Sequence, residues 1–289
     1  MLVEFFQQIF NGLVTGSIYT LIALGLTIIF GILGIAHFAH GSVAMSGGYL
    51  AYFLMKLLGL PLLPAAVLAM AAGAALGALL ERVAYRPVRD APPINAFIVA
   101  LGLTLIIEKL NLLLFGFNQI IIPNDFSGIV QIGQLAMPTL RLFVLASSVV
   151  LVVMLTWIIQ KTWMGMAIRA VAQNRSAAVL MGINVNKVSM FVFALSSALG
   201  VAAGILIGAL FAIAPGVSEG LVIKGFAVLI LGGLGSIPGA IVGGIVLGLS
   251  EAFSSSLISS GYKDVISFLL MIAVLIIRPE GLMRKTGKS

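Results

Sequence analysis

Residues 11–34 read NGLVTGSIYTLIALGLTIIFGILG, a long apolar run without a charged side chain. A helix that crosses the hydrocarbon layer of a membrane needs about 20 mostly apolar residues. The run therefore predicts a transmembrane helix. Similar runs follow at 43–58, 63–81, 94–115, 141–160, 188–213, 221–233, 238–255 and 264–278. The seventh and ninth runs are short, so we predict eight to nine spans, some of them broken or re-entrant.

The composition supports the same fold class. Of the 289 residues, 61% are hydrophobic and 9% are charged, whereas soluble domains contain about 25% charged residues. We therefore predict an all-α, polytopic membrane helical bundle. The chain contains no cysteine, which excludes disulfides and thiolate metal sites. The start, MLVEFFQQIF, lacks the positive charges of a signal peptide, so we expect the first span to be retained.

The distribution of basic residues predicts the orientation. Lys and Arg collect in cytoplasmic loops, so the net charge of +7 indicates membrane topology rather than nucleic-acid binding. With the N-terminus outside and the C-terminus inside, segments 82–93, 160–187 and the tail hold most of the basic residues. These are Arg82, Arg86, Arg89, Lys161, Arg169, Arg175, Lys187, Arg278, Arg284, Lys285 and Lys288. Lys56, Arg141, Lys224 and Lys263 are assigned to the outer side, and Lys109 lies within the fourth span.

Glycines recur every four residues in several runs. Gly200, Gly204 and Gly208 show this spacing, as do Gly244 and Gly248. Residues four apart share one helix face, and small residues on that face allow helix backbones to approach closely. The spacing therefore predicts a tightly packed bundle.

Enzymatic function is disfavoured because recognisable catalytic motifs are missing from the sequence. It contains no G-x-x-x-x-G-K-[ST] phosphate loop, no G-x-S-x-G elbow and no H-E-x-x-H pair. The two histidines, His37 and His40, make a weak case for metal because structural sites usually need four ligands. Transport, a channel or a scaffold remain, and we predict no bound metal.

Ionisable residues inside predicted spans mark candidate functional positions. Glu108 and Lys109 lie late in the fourth span and Glu251 late in the eighth, with Glu219 and Lys224 between the sixth and eighth. The predicted topology places all of them in the outer half. Adjacent residues do not face each other on a helix, so Glu108 and Lys109 are each expected to find a partner elsewhere. Charge pairing or snorkelling near the interface is the alternative, which we favour for Lys109; for Glu219 and Glu251 both interpretations stay open.

The longest cytoplasmic segment, 161–190, contains an amphipathic helix. Residues 167–181 are rich in good helix formers, and Gly182 is placed to end the helix. Arg169, Gln173 and Ser176 form a polar stripe. Such a helix either rests in the headgroup layer or docks into a groove of another protein.

Several motifs in this chain resemble one transporter family. SAAVLMG at 176–182 resembles the EAA-x-x-x-G coupling loop of ABC importer permeases, with Ser176 in place of Glu. ERVAYRPVR at 81–89, IAHFAHG at 35–41, AVLILGGLGSIPGAIVGG at 227–244 and YKDVISF at 262–268 resemble branched-chain amino-acid permeases, most closely the H-type subunit. The similarity covers nearly the whole chain. His37 departs from the family pattern, which has Asn there.

The resemblance implies a single permease domain over 1–289 that moves branched-chain amino acids into the cytoplasm across the bacterial inner membrane. It implies four kinds of partner: a second homologous permease, two cytoplasmic ATPases, a periplasmic binding protein and the amino acid. ATP is then bound by the partner subunits, and this chain holds no cofactor. The ATPases are expected to dock on Arg169, Gln173, Ser176, Ala177, Ala178 and Gly182.

The segment between the first two spans is a candidate for the substrate pathway. Residues 32–50 read ILGIAHFAHGSVAMSGGYL, with glycines suited to a broken helix. A zwitterion with an apolar tail needs polar contacts and an apolar wall. The predicted pathway residues are Phe38, His40, Gly41, Ser42, Met45, Ser46 and Gly47. A tight inner turn with solvated histidines is the alternative.

Three other functions remain open. A related permease can carry another small solute, such as urea or a short amide. A passive channel would use the GGLGSIPG loop at 232–239 as its filter, and it would leave segment 161–190 without a role. A membrane scaffold would need neither the carboxylates of the outer half nor broken helices.

Overall fold

The computed structural model describes residues 2–133, 135–214 and 216–283. The helices are α1 (Leu2–Leu33), α2 (His40–Leu58), α3 (Leu62–Leu80), α4 (Arg86–Val88), α5 (Pro93–Phe115), α6 (Thr139–Lys161), α7 (Trp163–Gln173), α8 (Arg175–Leu180), α9 (Val185–Leu210), α10 (Val217–Gly232), α11 (Ile237–Leu257) and α12 (Lys263–Ile277). A π-helical turn, Glu81–Tyr85, joins α3 to α4, and a 3₁₀ turn, Ser260–Tyr262, precedes α12.

Seven helical segments of the described chain are long and apolar enough to cross a membrane: Leu2–Leu33, Leu62–Val88, Pro93–Phe115, Thr139–Lys161, Val185–Leu210, Ile237–Leu257 and Ser260–Ile277. The protein is therefore a polytopic helical membrane protein, as the sequence predicted. Two of the predicted spans, α2 and α10, are not among the seven. α2 begins with polar residues at its N-terminus, and α10 has only 16 residues.

The close glycine packing predicted from the sequence is confirmed. α1 and α11 pack through Gly12 and Gly16 on one helix and Gly244 and Gly248 on the other. A Cβ atom on Gly16 would lie 2.6 Å from the carbonyl oxygen of Gly244, nearer than such atoms approach in proteins. Glycine is needed here because the two backbones are in direct contact.

The two predicted cytoplasmic segments lie together at one end of the bundle. Arg175, at the start of α8, is 2.8 Å from the Asp90 carboxylate, and Arg89 donates a 2.7 Å hydrogen bond to Asn186. The Arg175 guanidinium holds the pKa of the exposed Asp90 carboxyl below its usual range. These contacts attach the turn after α4 to α8 and to the first turn of α9.

The structure also contains a small amount of sheet, which the all-α prediction did not include. β1 (Ile129–Ile132) and β2 (Leu135–Pro138) form an antiparallel hairpin between α5 and α6, with Ile129 opposite Pro138. A single bridge joins Ile120 to Ile213 in the chain that follows α9. These polar backbone pairings lie in connecting segments, and the membrane-crossing part is helical.

Candidate functional site

The chain between α1 and α2 leaves the helical conformation over residues 34–39, and Gly34 has a positive φ of 67°. His37 nevertheless lies buried inside the bundle. Its Nδ1 atom is 2.6 Å from the Tyr85 hydroxyl, at the end of the π-helical turn. The segment is therefore an irregular link with its histidine packed inward, and helical structure resumes at His40.

His40 fills a gap between α1 and α9. A Cβ atom on Gly25 or Gly200 would lie 2.6 or 2.8 Å from its ring Cε1 atom, so both glycines make room for the imidazole. Ser196 lies 3.5 Å from His40 Nδ1 and donates a hydrogen bond to the Gly25 carbonyl. The His40 side chain packs between helices here.

Most other predicted pathway residues also lie at helix contacts. Gly41 faces the Ser218 carbonyl at the start of α10, and Gly47 faces Val201 on α9. Phe38 packs against Phe226, with ring centroids 4.7 Å apart. Gly41 and Gly47 therefore sit where two helices touch. The structure gives these glycines a packing role within the continuous helix α2, whereas the sequence suggested a broken helix.

Two of the predicted pathway residues, Met45 and Ser46, lie where α2 borders α5 and α10. Met45 lines a cavity of about 230 Å³ between α2, the end of α5 and the start of α10. Ser46 donates a 2.9 Å hydrogen bond to the side chain of Asn111, which lines the same cavity. Ser42 contributes through its backbone carbonyl, which lies 3.5 Å from Asn111 Nδ2.

Glu251 belongs to a buried polar cluster at the junction of α1, α10, α11 and α12. Its carboxylate lies 2.7 Å from Lys224 Nζ and accepts 2.8 Å hydrogen bonds from the hydroxyls of Tyr19 and Ser267. Lys224 is also 2.9 Å from Asp264. These side chains form a continuous network of hydrogen bonds and salt bridges between four helices, in which one Lys ammonium lies between two carboxylates. The sequence identified Glu251 but did not identify the hydroxyl groups.

The other carboxylates that the sequence predicted for the outer half lie elsewhere. Glu108 accepts a hydrogen bond from the Ser218 hydroxyl on α10, so its partner is on another helix, as predicted. Lys109 is exposed and lines the cavity beside Glu108, and Glu219 is exposed in the first turn of α10. Glu108 and Glu251 are therefore in separate clusters.

The predicted cytoplasmic helix is divided in two. α7 ends at Gln173, and Asn174 adopts an extended conformation in which its side chain accepts a hydrogen bond from the Ala177 amide. An asparagine at this position favours the start of a new helix because its side chain replaces the missing backbone partner. Gly182, with a φ of 80°, ends the second helix as predicted.

The exposed surface of α8 is more apolar than the sequence indicated. Val179, Leu180 and Met181 are exposed, with Leu180 at 87% of its full accessibility. Ala178 is buried against this chain, so the expectation that it enters a partner's groove does not fit its position. Ser176 and Ala177 are exposed beside the apolar side chains. A shallow groove is lined by Arg175, Ser176, Val179 and Leu180.

The two remaining docking candidates are on α7. Gln173 is exposed at the end of this helix, next to the break at Asn174. The Arg169 guanidinium donates a hydrogen bond to the Ile159 carbonyl on α6, which fixes α7 against the last turn of that helix. Part of the predicted polar stripe therefore holds α7 in place.

Comparison with known proteins identifies the family. A family model described as "Branched-chain amino acid transport system / permease component" matches residues 8–275. The chain belongs to this permease family. It is 36% identical over 293 residues to the high-affinity branched-chain amino acid transport system permease protein LivH of Escherichia coli K12, covering 96% of this chain and 95% of LivH.

A second member of the permease family shows the same extent of similarity. The BraD permease of Pseudomonas aeruginosa is 35% identical, covering 97% of this chain and 96% of BraD. The solved structure of PsaBC from Streptococcus pneumoniae in complex with Fab includes a chain of similar fold, with a TM-score of 0.53, 14% identity and 97% coverage of both chains. This last similarity concerns the fold alone. The resemblance predicted from the sequence motifs is confirmed.

Proposed function

We propose that this protein is the transmembrane permease subunit of an ABC importer that carries branched-chain amino acids into the cytoplasm. The observation that carries the proposal is the family match over residues 8–275, together with 36% identity to LivH along nearly the full length of both chains. The permease domain spans 1–289, including the coupling loop at 161–190. The chain itself performs no catalysis, and ATP binds to partner subunits.

We propose that the ATPases dock on α8. Its exposed Leu180 and the neighbouring Val179 and Met181 form an apolar projection on the end of the bundle that carries Arg89, Asp90 and Arg175. Apolar helix faces that insert into grooves are a common mode of protein recognition. Movement of a docked helix would reach the bundle directly because α8 connects to α9 through only four residues.

The proposed assembly contains a second homologous permease, two cytoplasmic ATPases and a periplasmic binding protein, in a bacterial inner membrane. The proposed orientation has the N-terminus outside, the C-terminus inside and nine crossings when α2 and α10 are counted. The pairing of Arg175 with Asp90 supports a common side for the segments at 82–93 and 160–187. It agrees with the charge distribution along the sequence.

We propose that α2 forms one wall of the solute pathway through Met45 and Ser46. Among the other predicted pathway residues, Phe38, His40, Gly41 and Gly47 contribute by fixing α2 against its neighbours, and Ser42 supports Asn111. The pathway would then follow the face of α2 that borders α5 and α10.

Uptake by the reconstituted complex tests the proposed substrate class. Proteoliposomes that contain both permeases, the ATPases and the binding protein are supplied with radiolabelled leucine. We expect uptake that unlabelled isoleucine and valine inhibit and that urea, acetamide and alanine at equal concentration do not. Inhibition by urea or acetamide, with none by isoleucine, would instead assign the permease to a different small solute.

A further inference from the structure

The cavity between α2, α5 and α10 carries charges of both signs on adjacent residues. Glu108 and Lys109 both line it, near the outer end of α5 in the proposed orientation. An α-amino acid carries an ammonium and a carboxylate group, so a cavity lined by one charge of each sign has a partner for both groups. Neither the family match nor the sequence motifs assign a role to this cavity.

Tyr49 supplies independent evidence for a ligand. Its side chain is 2% exposed and lines the cavity, and among the described residues its hydroxyl has no hydrogen-bond partner. Buried polar groups are nearly always hydrogen-bonded, so an unpaired hydroxyl on a residue that lines a cavity indicates a missing partner. The ring stacks on Phe115 with centroids 5.1 Å apart, which fixes the direction of the hydroxyl.

The start of α10 adds further donors on the same wall. Gly216 is the N-cap of this helix and provides no side-chain cap, and both Gly216 and Ser218 line the cavity. The first backbone N–H groups of a helix lack partners within the helix, and its N-terminus favours a bound anion. The Val217 N–H donates to the Ala214 carbonyl, so the amides in question are those of Ser218 and Glu219. Together with the Tyr49 hydroxyl and the Lys109 ammonium, these groups can receive a carboxylate.

Glu108 can receive the ammonium group. Its carboxylate accepts a hydrogen bond from Ser218, and an ionised carboxylate can accept about four. Met45 and Leu112 supply an apolar wall for the side chain. The volume, about 230 Å³, lies just below the ~300 Å³ at which cavities for drug-sized ligands begin. It therefore suits a solute of small size.

We propose that this cavity is a binding site for a zwitterionic amino acid with an apolar side chain, in which Glu108 binds the ammonium and Tyr49, Lys109 and the α10 N-terminus bind the carboxylate. The inference rests on the proposed function, since it places the transported solute at a defined position on the permease. It also assigns Lys109, which the sequence left as an interfacial charge, to the binding of that solute.

Ligands that lack one charged group test the proposal. The complete complex is placed in nanodiscs without the binding protein, and binding is followed by saturation-transfer difference NMR. The probes are leucine, 4-methyl-2-oxopentanoate, which lacks the ammonium, and 3-methylbutylamine, which lacks the carboxylate. A hydrogen bond to a charged group contributes about 1.5–3 kcal/mol, and 1.4 kcal/mol is tenfold in affinity. We expect the wild type to bind leucine about 10- to 100-fold more tightly than either analogue.

Each variant should affect only the ligands that carry its partner group. Glu108→Gln should weaken leucine and the amine about 10- to 100-fold and leave the oxo acid unchanged. Tyr49→Phe and Lys109→Met should weaken leucine and the oxo acid and leave the amine unchanged, with Lys109→Arg restoring binding. Lys56→Met removes a charge from the exposed end of α2, away from the cavity, and should change none of the three.

Several results would overturn the site. Equal weakening of all three ligands in Glu108→Gln would show that Glu108 does not bind the ammonium group specifically, and equal binding of the three to the wild type would exclude charge recognition. ATP-driven leucine uptake without leucine binding to the nanodiscs would reject this cavity while leaving the proposed function intact. Leucine binding with the expected charge dependence, but no leucine uptake, would support the site and contradict the proposed function.

Discussion

Replacing Lys224 with Met should destabilise the bundle more than replacing its partner Glu251 with Gln. The Lys224 side chain is 14% exposed and lies 2.7 Å from the Glu251 carboxylate, which is 6% exposed. Removing one partner of a buried ion pair costs about 3–5 kcal/mol because it leaves an uncompensated charge. Glu251 would keep hydrogen bonds from Tyr19 and Ser267, so we expect the lower end, about 3 kcal/mol.

The opposite change leaves the remaining charge better compensated. In Glu251→Gln, Lys224 keeps its 2.9 Å contact with Asp264, and the amide oxygen can still accept hydrogen bonds. The free energy of unfolding should fall only by the difference between a charged and a neutral hydrogen bond, about 1–2 kcal/mol. The double variant should be about 1–2 kcal/mol more stable than Lys224→Met, because the buried carboxylate is then absent.

The assay is equilibrium unfolding in SDS titrations, followed by helical circular dichroism, on the two single variants and the double variant. Equal losses of unfolding free energy in the two single variants would contradict the proposed ion pair. A loss in the double variant equal to the sum of the two single losses would also contradict it. Additive losses would mean that the Lys224 ammonium and the Glu251 carboxylate do not stabilise each other in the folded protein.

Three further predictions test other parts of the structure. Leu180→Asp should weaken ATPase co-purification, because an unpaired charge in a docked interface costs about 2–5 kcal/mol; wild-type co-purification would place docking elsewhere. Gly248→Val should lower the free energy of unfolding in SDS titrations by about 1–3 kcal/mol, because its side chain would overlap the α1 backbone. Gly102→Ala is the control, because a Cβ atom there meets open space, and it should leave the stability unchanged. Equal effects of the two substitutions would contradict close α1–α11 packing. Single cysteines in this cysteine-free chain at Gln173 and Asn124 should be labelled by an impermeant reagent in intact cells only at Asn124, and labelling at Gln173 would reverse the orientation.

The fold class could be predicted because the membrane makes the local sequence decisive. A run such as 11–34 has to be a membrane helix, since a lipid environment requires every backbone polar group to be paired within the element. The glycine spacing at Gly244 and Gly248 likewise predicted a close contact, because a period of four places small residues on one face. It did not identify α1 as the partner helix, which depends on long-range packing.

The candidate site was less predictable because it depends on contacts between distant segments. Tyr49 carries no charge and lies in an apolar helix, so only the structure marks it, through its unpaired hydroxyl and the cavity that it lines together with Glu108. The hydrogen bond from Lys224 to the Tyr19 hydroxyl joins residues more than 200 positions apart, so no local sequence pattern predicts it. In α8, the amphipathic pattern indicated a partner surface, but the break at Asn174 turned Ala178 inward and left Leu180 exposed.

The most direct measurement for ATP-driven leucine import is leucine accumulation in proteoliposomes that contain the complete complex. ATP is placed inside, on the side of the membrane where the ATPases dock. The internal leucine concentration is measured against the external one, with and without ATP, for the wild type and for Leu180→Asp. If the protein is an ATP-driven importer, we expect the wild type to accumulate leucine above the external concentration only when ATP is present. We expect Leu180→Asp not to accumulate leucine under either condition. Leucine entry without ATP that stops when the internal and external concentrations are equal, and that is the same in Leu180→Asp, would show a passive channel. That result would contradict ATP-driven import.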